Sequence, residues 1–273
     1  MFDDTPRETN PEIDALIEST WQEKLREAEA EKRTLYNGLQ GRLIKSEVLA
    51  KEDGAGRGTS RVSGLRLVLG TTCYRDFVGT NLYNARLAET YGLACLANPL
   101  GTSAVIITAD GYLLYGRRND RVVFHAGYLH TFGGSLEAAD QSEDGSFDVL
   151  GAIRRELYEE LLLADGEITE LVCTGLVRDH QIMQPELLFE ATVGITRDDL
   201  LARFDATTDP EHDAIEACYD EPTAIIPFIE RAGKIAPIAV ASIMLHGRLH
   251  WGRDWYDQAA FVLFGELPPD RSA

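Results

Sequence analysis

The segment from Asp148 to Gly166 constrains this chain more than any other stretch. Within it Val149, Ile153, Leu157 and Leu161 recur at a spacing of four, which draws one apolar stripe along an α-helix. Asp148 offers a capping oxygen at the start, and Asp165-Gly166 stops the helix at its end. At its centre, Arg155-Glu156-Leu157-Tyr158-Glu159-Glu160 puts three carboxylates into six residues. Glu156, Glu159 and Glu160 stand at i, i+3 and i+4, so their side chains gather on one face, expected opposite the apolar stripe. Like charges this close repel one another unless protons are taken up or a cation neutralises them. Mg²⁺, or Mn²⁺ in its place, prefers hard oxygen ligands and suits such a set. Arg155, four residues before Glu159, is placed to hold one carboxylate by a charge-assisted bond. Taken alone, a glutamate cluster is usually the solvated face of an amphipathic helix, so its surroundings in the sequence must decide.

Charge narrows the choice. A net charge of −19, from 45 acidic against 26 basic residues, repels phosphate backbones and anionic membrane surfaces. No basic reading element for DNA is found. An anionic small-molecule partner then needs a local cationic grip, and Arg117 and Arg118, ending a strand, offer planar donor forks for it. Met1-Phe2-Asp3-Asp4-Thr5-Pro6 has no basic, apolar leader pattern, and no apolar run reaches about 18 residues, so a cytosolic protein is expected. Cys73, Cys95, Cys173 and Cys218 are scattered without metal-ligand spacing and read as reduced thiols. An apolar content of 44% supplies a sizeable core.

Along the chain, Asn10-Pro11 opens a helix whose stripe is Ile13, Leu16, Ile17, Trp21, Leu25 and Ala28; its exit is expected near Asn37-Gly38. The turn-rich stretch 53–60 reads as an exposed loop, and Leu65, Leu67 and Leu69 then alternate as a strand. A short helical stretch runs from Leu87 to Leu93. Asn98-Pro99 marks a boundary between an N-terminal subdomain, 1–98, and a second domain, 99–268. Beyond it, strands at 104–108 and 112–115 flank a hairpin turn at Asp110-Gly111, and 225–245 forms apolar turns and a helix closed by Gly247. Strands followed by helices predict an α+β fold with a mixed sheet.

Gly134, Asp140, Arg155, Glu156, Leu157, Glu159, Glu160 and Leu163 together resemble the Nudix box: a Gly, an acid, a spacer, then Arg-Glu-apolar-x-Glu-Glu-x-Gly-apolar. Asp140 stands where Glu is usual, the spacer before Arg155 is seven residues longer, and Leu162 replaces the closing Gly. The long spacer is polar and can loop out; the metal-binding half is intact. The resemblance implies an α/β/α sandwich with a mixed sheet behind a smaller N-terminal α+β subdomain. It also implies Mg²⁺ on Glu156, Glu159 and Glu160, catalysis by Glu160, Arg155 and a further base or ligand for which Glu211 is the first candidate and His212 the second, and phosphate contacts from Gly134, Arg117 and Arg118. The similarity extends to the UDP-glucose pyrophosphatase branch through Trp21-Gln22-Glu23-Lys24-Leu25, the run from Tyr74 to Asn81, Leu96-Ala97-Asn98-Pro99-Leu100-Gly101, Thr108-Ala109-Asp110-Gly111 and Glu211-His212-Asp213. That branch implies contacts to a nucleotide sugar from Tyr74, Arg75, Asp76 and Asn81, and cleavage of UDP-glucose or UDP-galactose to UMP and sugar 1-phosphate. Two alternatives stay open at this point: another nucleoside diphosphate derivative as substrate, such as ADP-ribose, a dinucleoside polyphosphate or a coenzyme A compound, and a module that binds a nucleotide sugar without cleaving it.

Overall fold

A computed structural model describes residues 1–52, 60–205 and 211–266. Most of the expected exposed loop, 53–59, and Asp209-Pro210 lie outside the described residues. Helix α1 (Pro11–Ala30) starts as its sequence dictates, with Asn10 Oδ1 accepting from the N–H groups of Glu12 and Ile13, each at 3.0 Å. It stops short of the Asn37-Gly38 exit expected for it. The next stripe positions after Ala28 are the charged Glu31 and Lys32, and Lys32 takes a positive φ of 56°. Two long strands, β1 (Leu39–Glu52) and β2 (Ser60–Cys73), pair antiparallel from Leu39↔Cys73 onward. There follow α2 (Tyr74–Phe77), a π-helical turn over Val78–Leu82, and α3 (Leu87–Tyr91), closed by Gly92 at a φ of 79°.

The remaining elements are β3 (Gly101–Ile107), β4 (Tyr112–Arg118), β5 (Leu129–His130), β6 (Phe132–Ser135), α4 (Val149–Leu161), β7 (Ile168–Arg178), β8 (Pro185–Val193), α5 (Arg197–Phe204), β9 (His212–Tyr219), α6 (Pro222–Ala232), α7 (Pro237–His250) and α8 (Arg253–Phe264). The hairpin expected at Asp110-Gly111 joins β3 to β4, with Ile106 opposite Leu114 and Gly111 at a φ of 77°. Seven strands form one sheet in the order β5-β4-β3-β8-β7, with β6 on β3 and β9 on β4. The fold is α+β, as the sequence predicts.

Two compact units share the chain. One comprises 1–101, 135–152 and 178–185; the other comprises 102–134, 153–177 and 186–273. In the first, Ile13 and Ile17 of α1 bury against Cys95 and Leu96. Gly79 lets the π-helical turn approach, since a β-carbon there would fall 2.7 Å from the Cα of Ile17. In the second, Val105, Leu113, Tyr115 and Leu129 from the sheet pack with Ile225, Phe228 and Ile243 from the C-terminal helices. Gly247 does not close a helix as expected. Helix α7 runs past it to His250, and the missing side chain instead admits the Trp255 ring of α8, which a β-carbon would meet at 1.9 Å. All four cysteines are free thiols. No helix among the described residues is long and apolar enough to cross a membrane.

Candidate active site

Helix α4 carries the carboxylates. Asp148 Oδ1 accepts from Gly151 N–H at 2.9 Å, the expected cap, and Ile153, Leu157 and Leu161 are fully buried. The three glutamates, however, do not share a solvated face opposite that stripe. Glu160 follows Leu157 by three residues and lies at the stripe's edge, so its side chain is only 7% exposed. Glu156 is 15% exposed and Glu159 55%, a gradient from interior to water along one turn.

Glu160 is anchored from outside the helix: Gly133 N–H donates to its Oε2 at 2.8 Å. The two glycines of β6 make that approach feasible. Gly133 holds a φ of 143°, where a β-carbon would fall 2.1 Å from the Thr102 carbonyl oxygen. A β-carbon on Gly134 would fall 2.5 Å from Glu156 Oε1. Arg155 spans two carboxylates, with Nη2 3.0 Å from Glu156 Oε1 and Nη1 3.3 Å from Glu159 Oε2. Burial pushes the Glu156 carboxyl up to about 7; Arg155 opposes this, while the charges of Glu159 and Glu211 add to it.

Glu211 therefore stands within electrostatic reach of Glu156, and its Oε2 pairs with Arg118 Nη1 at 3.1 Å. His212, the first residue of β9, is buried, with Nδ1 3.6 Å from Glu160 Oε1. Its ring rests on β4 where Gly116 has no side chain; a β-carbon there would meet Cδ2 at 2.3 Å. Sequence reading did not single out Gly116. A glycine inside a strand was the available signal. Arg117 is consumed by the fold: it reaches Glu216 Oε1 from Nε and Nη2 at 2.8 and 2.5 Å, and the carbonyls of Gly127, Lys234 and Ala232 at 3.1, 2.9 and 3.1 Å.

Asp140 closes a turn by accepting from Glu137 N–H at 2.9 Å. Leu162, where the box would have Gly, adopts a φ of 54° while its N–H reaches the Tyr158 carbonyl at 2.9 Å, so the helix exit keeps the left-handed conformation glycine serves. In the first unit, Tyr74 packs edge-on to Trp21 and tilted against Phe77. Asp76 pairs with Arg7 at 3.2 Å, and Arg75 lies 3.4 Å from Asp76 and 3.7 Å from Glu18. Asn81 is fully buried, donating to the Ile182 carbonyl at 3.0 Å and accepting from Asn98 N–H at 2.8 Å.

The donor set of Glu156, Glu159 and Glu160, with Glu211 nearby, consists of carboxylate oxygens, and burial, with a smaller contribution from the neighbouring carboxylates, raises Glu156 to about 7. That chemistry fits a hard divalent cation.

No family model matches the chain. By sequence it is 35% identical over 136 residues to the uridine diphosphate glucose pyrophosphatase NUDT22 of Mus musculus, covering 45% of this chain and 42% of that protein. It is 24% identical over 231 residues to Nudix hydrolase 9 of Arabidopsis thaliana, covering 76% and 71%. A solved NUDIX hydrolase from Nitrosomonas europaea aligns at 18% identity over 54% of this chain and 87% of that one, with a TM-score of 0.36. The chain thus resembles the Nudix hydrolases in sequence. Within them the resemblance is to the UDP-glucose pyrophosphatases, of which the matched segments span under half the length.

Proposed function

We propose that this chain is a divalent-metal-dependent diphosphatase that cleaves UDP-glucose or UDP-galactose to UMP and sugar 1-phosphate. The observation that carries the reading is the convergence of Glu156, Glu160 and Glu211 on one locality, with Glu160 fixed by the Gly133 amide. Glu156, Glu159 and Glu160 would hold Mg²⁺, which supplies charge neutralisation at the diphosphate oxygens and acidifies water.

The chain's own groups do the positioning. Gly133 orients one face of Glu160, and Arg155 fixes Glu156 against Glu159. Glu211, the more exposed partner of Arg118, accepts the proton of the attacking water as its oxygen bonds to phosphorus and the anhydride P–O bond breaks. Arg118 then stands beside the site as the phosphate-facing guanidinium, while Arg117 fixes β4 and thereby Arg118. Of the residues expected to contact a sugar, Arg75 has a side chain 42% exposed, whereas Asp76 is paired with Arg7 and Asn81 is fully buried.

The test is product analysis after incubation with UDP-glucose and Mg²⁺, with Glu160→Gln alongside. UMP and glucose 1-phosphate should form only with metal, and the variant should lose about 100-fold or more in turnover. Equal turnover of UDP-glucose, ADP-ribose and UDP would overturn the sugar assignment, and an unimpaired Glu160→Gln would overturn the site.

A further inference from the structure

A second cluster of metal-ligating side chains lies in the same unit as Glu156, Glu159 and Glu160 and takes no part in the chemistry above. Glu190 on β8 and His246 and His250, one turn apart on α7, each present a donor atom, and these atoms lie within 4.8 Å of one another. The Glu190 carboxylate sits between the two rings, with Oε1 3.0 Å from His246 Nδ1 and Oε2 2.8 Å from His250 Nε2. Glu190 and His246 are 4% and 0% exposed, so two ionisable members of this trio have been taken out of water without any role in the proposed hydrolysis.

We infer that Glu190, His246 and His250 form a binding site for a transition-metal cation of the zinc class, separate from the acidic site on α4. Two imidazoles and a carboxylate are a ligand set for such ions, and i, i+4 histidines on a helix point to one side. Around a tetrahedral ion with bonds of about 2.0–2.2 Å, neighbouring donors sit roughly 3.3–3.6 Å apart, so the two pairs made by Glu190 need open by about 0.3–0.8 Å, within a set whose donor atoms already lie within 4.8 Å of one another. A ligand histidine characteristically offers its other ring nitrogen to a carboxylate that fixes its orientation. His246 does so: its Nε2 lies 2.8 Å from Asp220 Oδ1. The His250 side chain is 44% exposed, which gives an entry path and leaves a solvent-facing fourth position. In the metal-free protein the ring is held by a proton instead. Against the opposing effect of burial, hydrogen bonds to Asp220 and Glu190 lift His246 to about 9, so a metal has a proton to displace, as at other imidazole sites.

The experiment is Zn²⁺ titration of the full chain after chelator treatment, in excess Mg²⁺ to occupy the acidic site, with Co²⁺ absorption reporting geometry. One equivalent of Zn²⁺ should bind, Co²⁺ should show the intense bands of tetrahedral coordination, and Glu160→Gln should leave both intact. His250→Ala, at a half-exposed position that can lose its ring without a core cavity, should abolish the bands. Asp220→Asn should weaken binding by about 10–100-fold while keeping them. Absence of Zn²⁺ uptake, or uptake and bands unchanged in His250→Ala, would overturn the site and leave the trio as a proton-bound clamp between β8 and α7.

Discussion

In the acidic region of α4 carboxylates face carboxylates, with Arg155 as their shared counter-charge; at the junction of β8 and α7 carboxylates face imidazoles. The first arrangement is left short of positive charge and drives the Glu156 carboxyl up to about 7, with burial the main cause. The second carries its own positive charge in a proton on His246. Each region also has one glycine that admits a neighbouring side chain. Gly134 leaves room for Glu156, and Gly247 leaves room for Trp255. Neighbouring regions of one unit thus hold one cluster left short of positive charge and one that holds a proton where a metal would sit.

Gly134→Ala is the sharpest way to break the first arrangement. Its β-carbon would meet Glu156 Oε1 at 2.5 Å, and a displacement of about an ångström there should lower kcat/KM on UDP-glucose about 100-fold; an unchanged value would mean Glu156 has no positional role. Gly247→Ala tests the second region through stability. Pushing Trp255 off α7 should cost about 1–3 kcal/mol in denaturant unfolding, and a variant as stable as wild type would show the α7–α8 packing to be slack.

The histidines sharpen the contrast through pH. His130 is pressed to about 3, first by burial and then by the Arg118 charge, whereas His246 is raised. With its folded value below the ordinary 6.5, His130 refuses a proton that the unfolded chain accepts. Its contribution is present above 6.5 and is lost as pH falls toward about 3. His130→Gln should therefore flatten the fall in melting temperature across that window, and an identical fall would assign the acid sensitivity elsewhere. The smallest effect is expected at Leu162, whose φ of 54° is unfavourable for a residue with a β-carbon. Leu162→Gly should stabilise the fold by about 0.5–1 kcal/mol, read as a higher denaturant midpoint.

How much of this was legible follows from how far apart the partners lie in sequence. The α4 site was visible because its carboxylates, cap and apolar stripe all fall within one helix, where spacing alone sets direction. Even there, Glu160's burial was missed, because a polar residue at the stripe's edge reads the same whether water or a backbone amide meets it. The fit of His212 over Gly116 depends on β9 pairing with β4, and no local pattern encodes that. The Glu190, His246 and His250 trio needs β8 and α7 brought together. Gly247 was misread for the same reason: a glycine late in a helix marks either an exit or a close neighbour, and only Trp255 decides.

Because Arg117 is matched to Glu216 and Arg118 to Glu211, the arginines beside the acidic site project little attraction beyond their own partners. They sit in a chain whose net charge is −19. A free diphosphate anion approaching α4 thus meets a repulsive field until it is close enough to share the Arg118 guanidinium. Encounter becomes the step that salt assists, since screening weakens the long-range repulsion more than the short contacts. Capture of substrate should quicken as ionic strength rises, the reverse of the behaviour of an enzyme that steers its anion in.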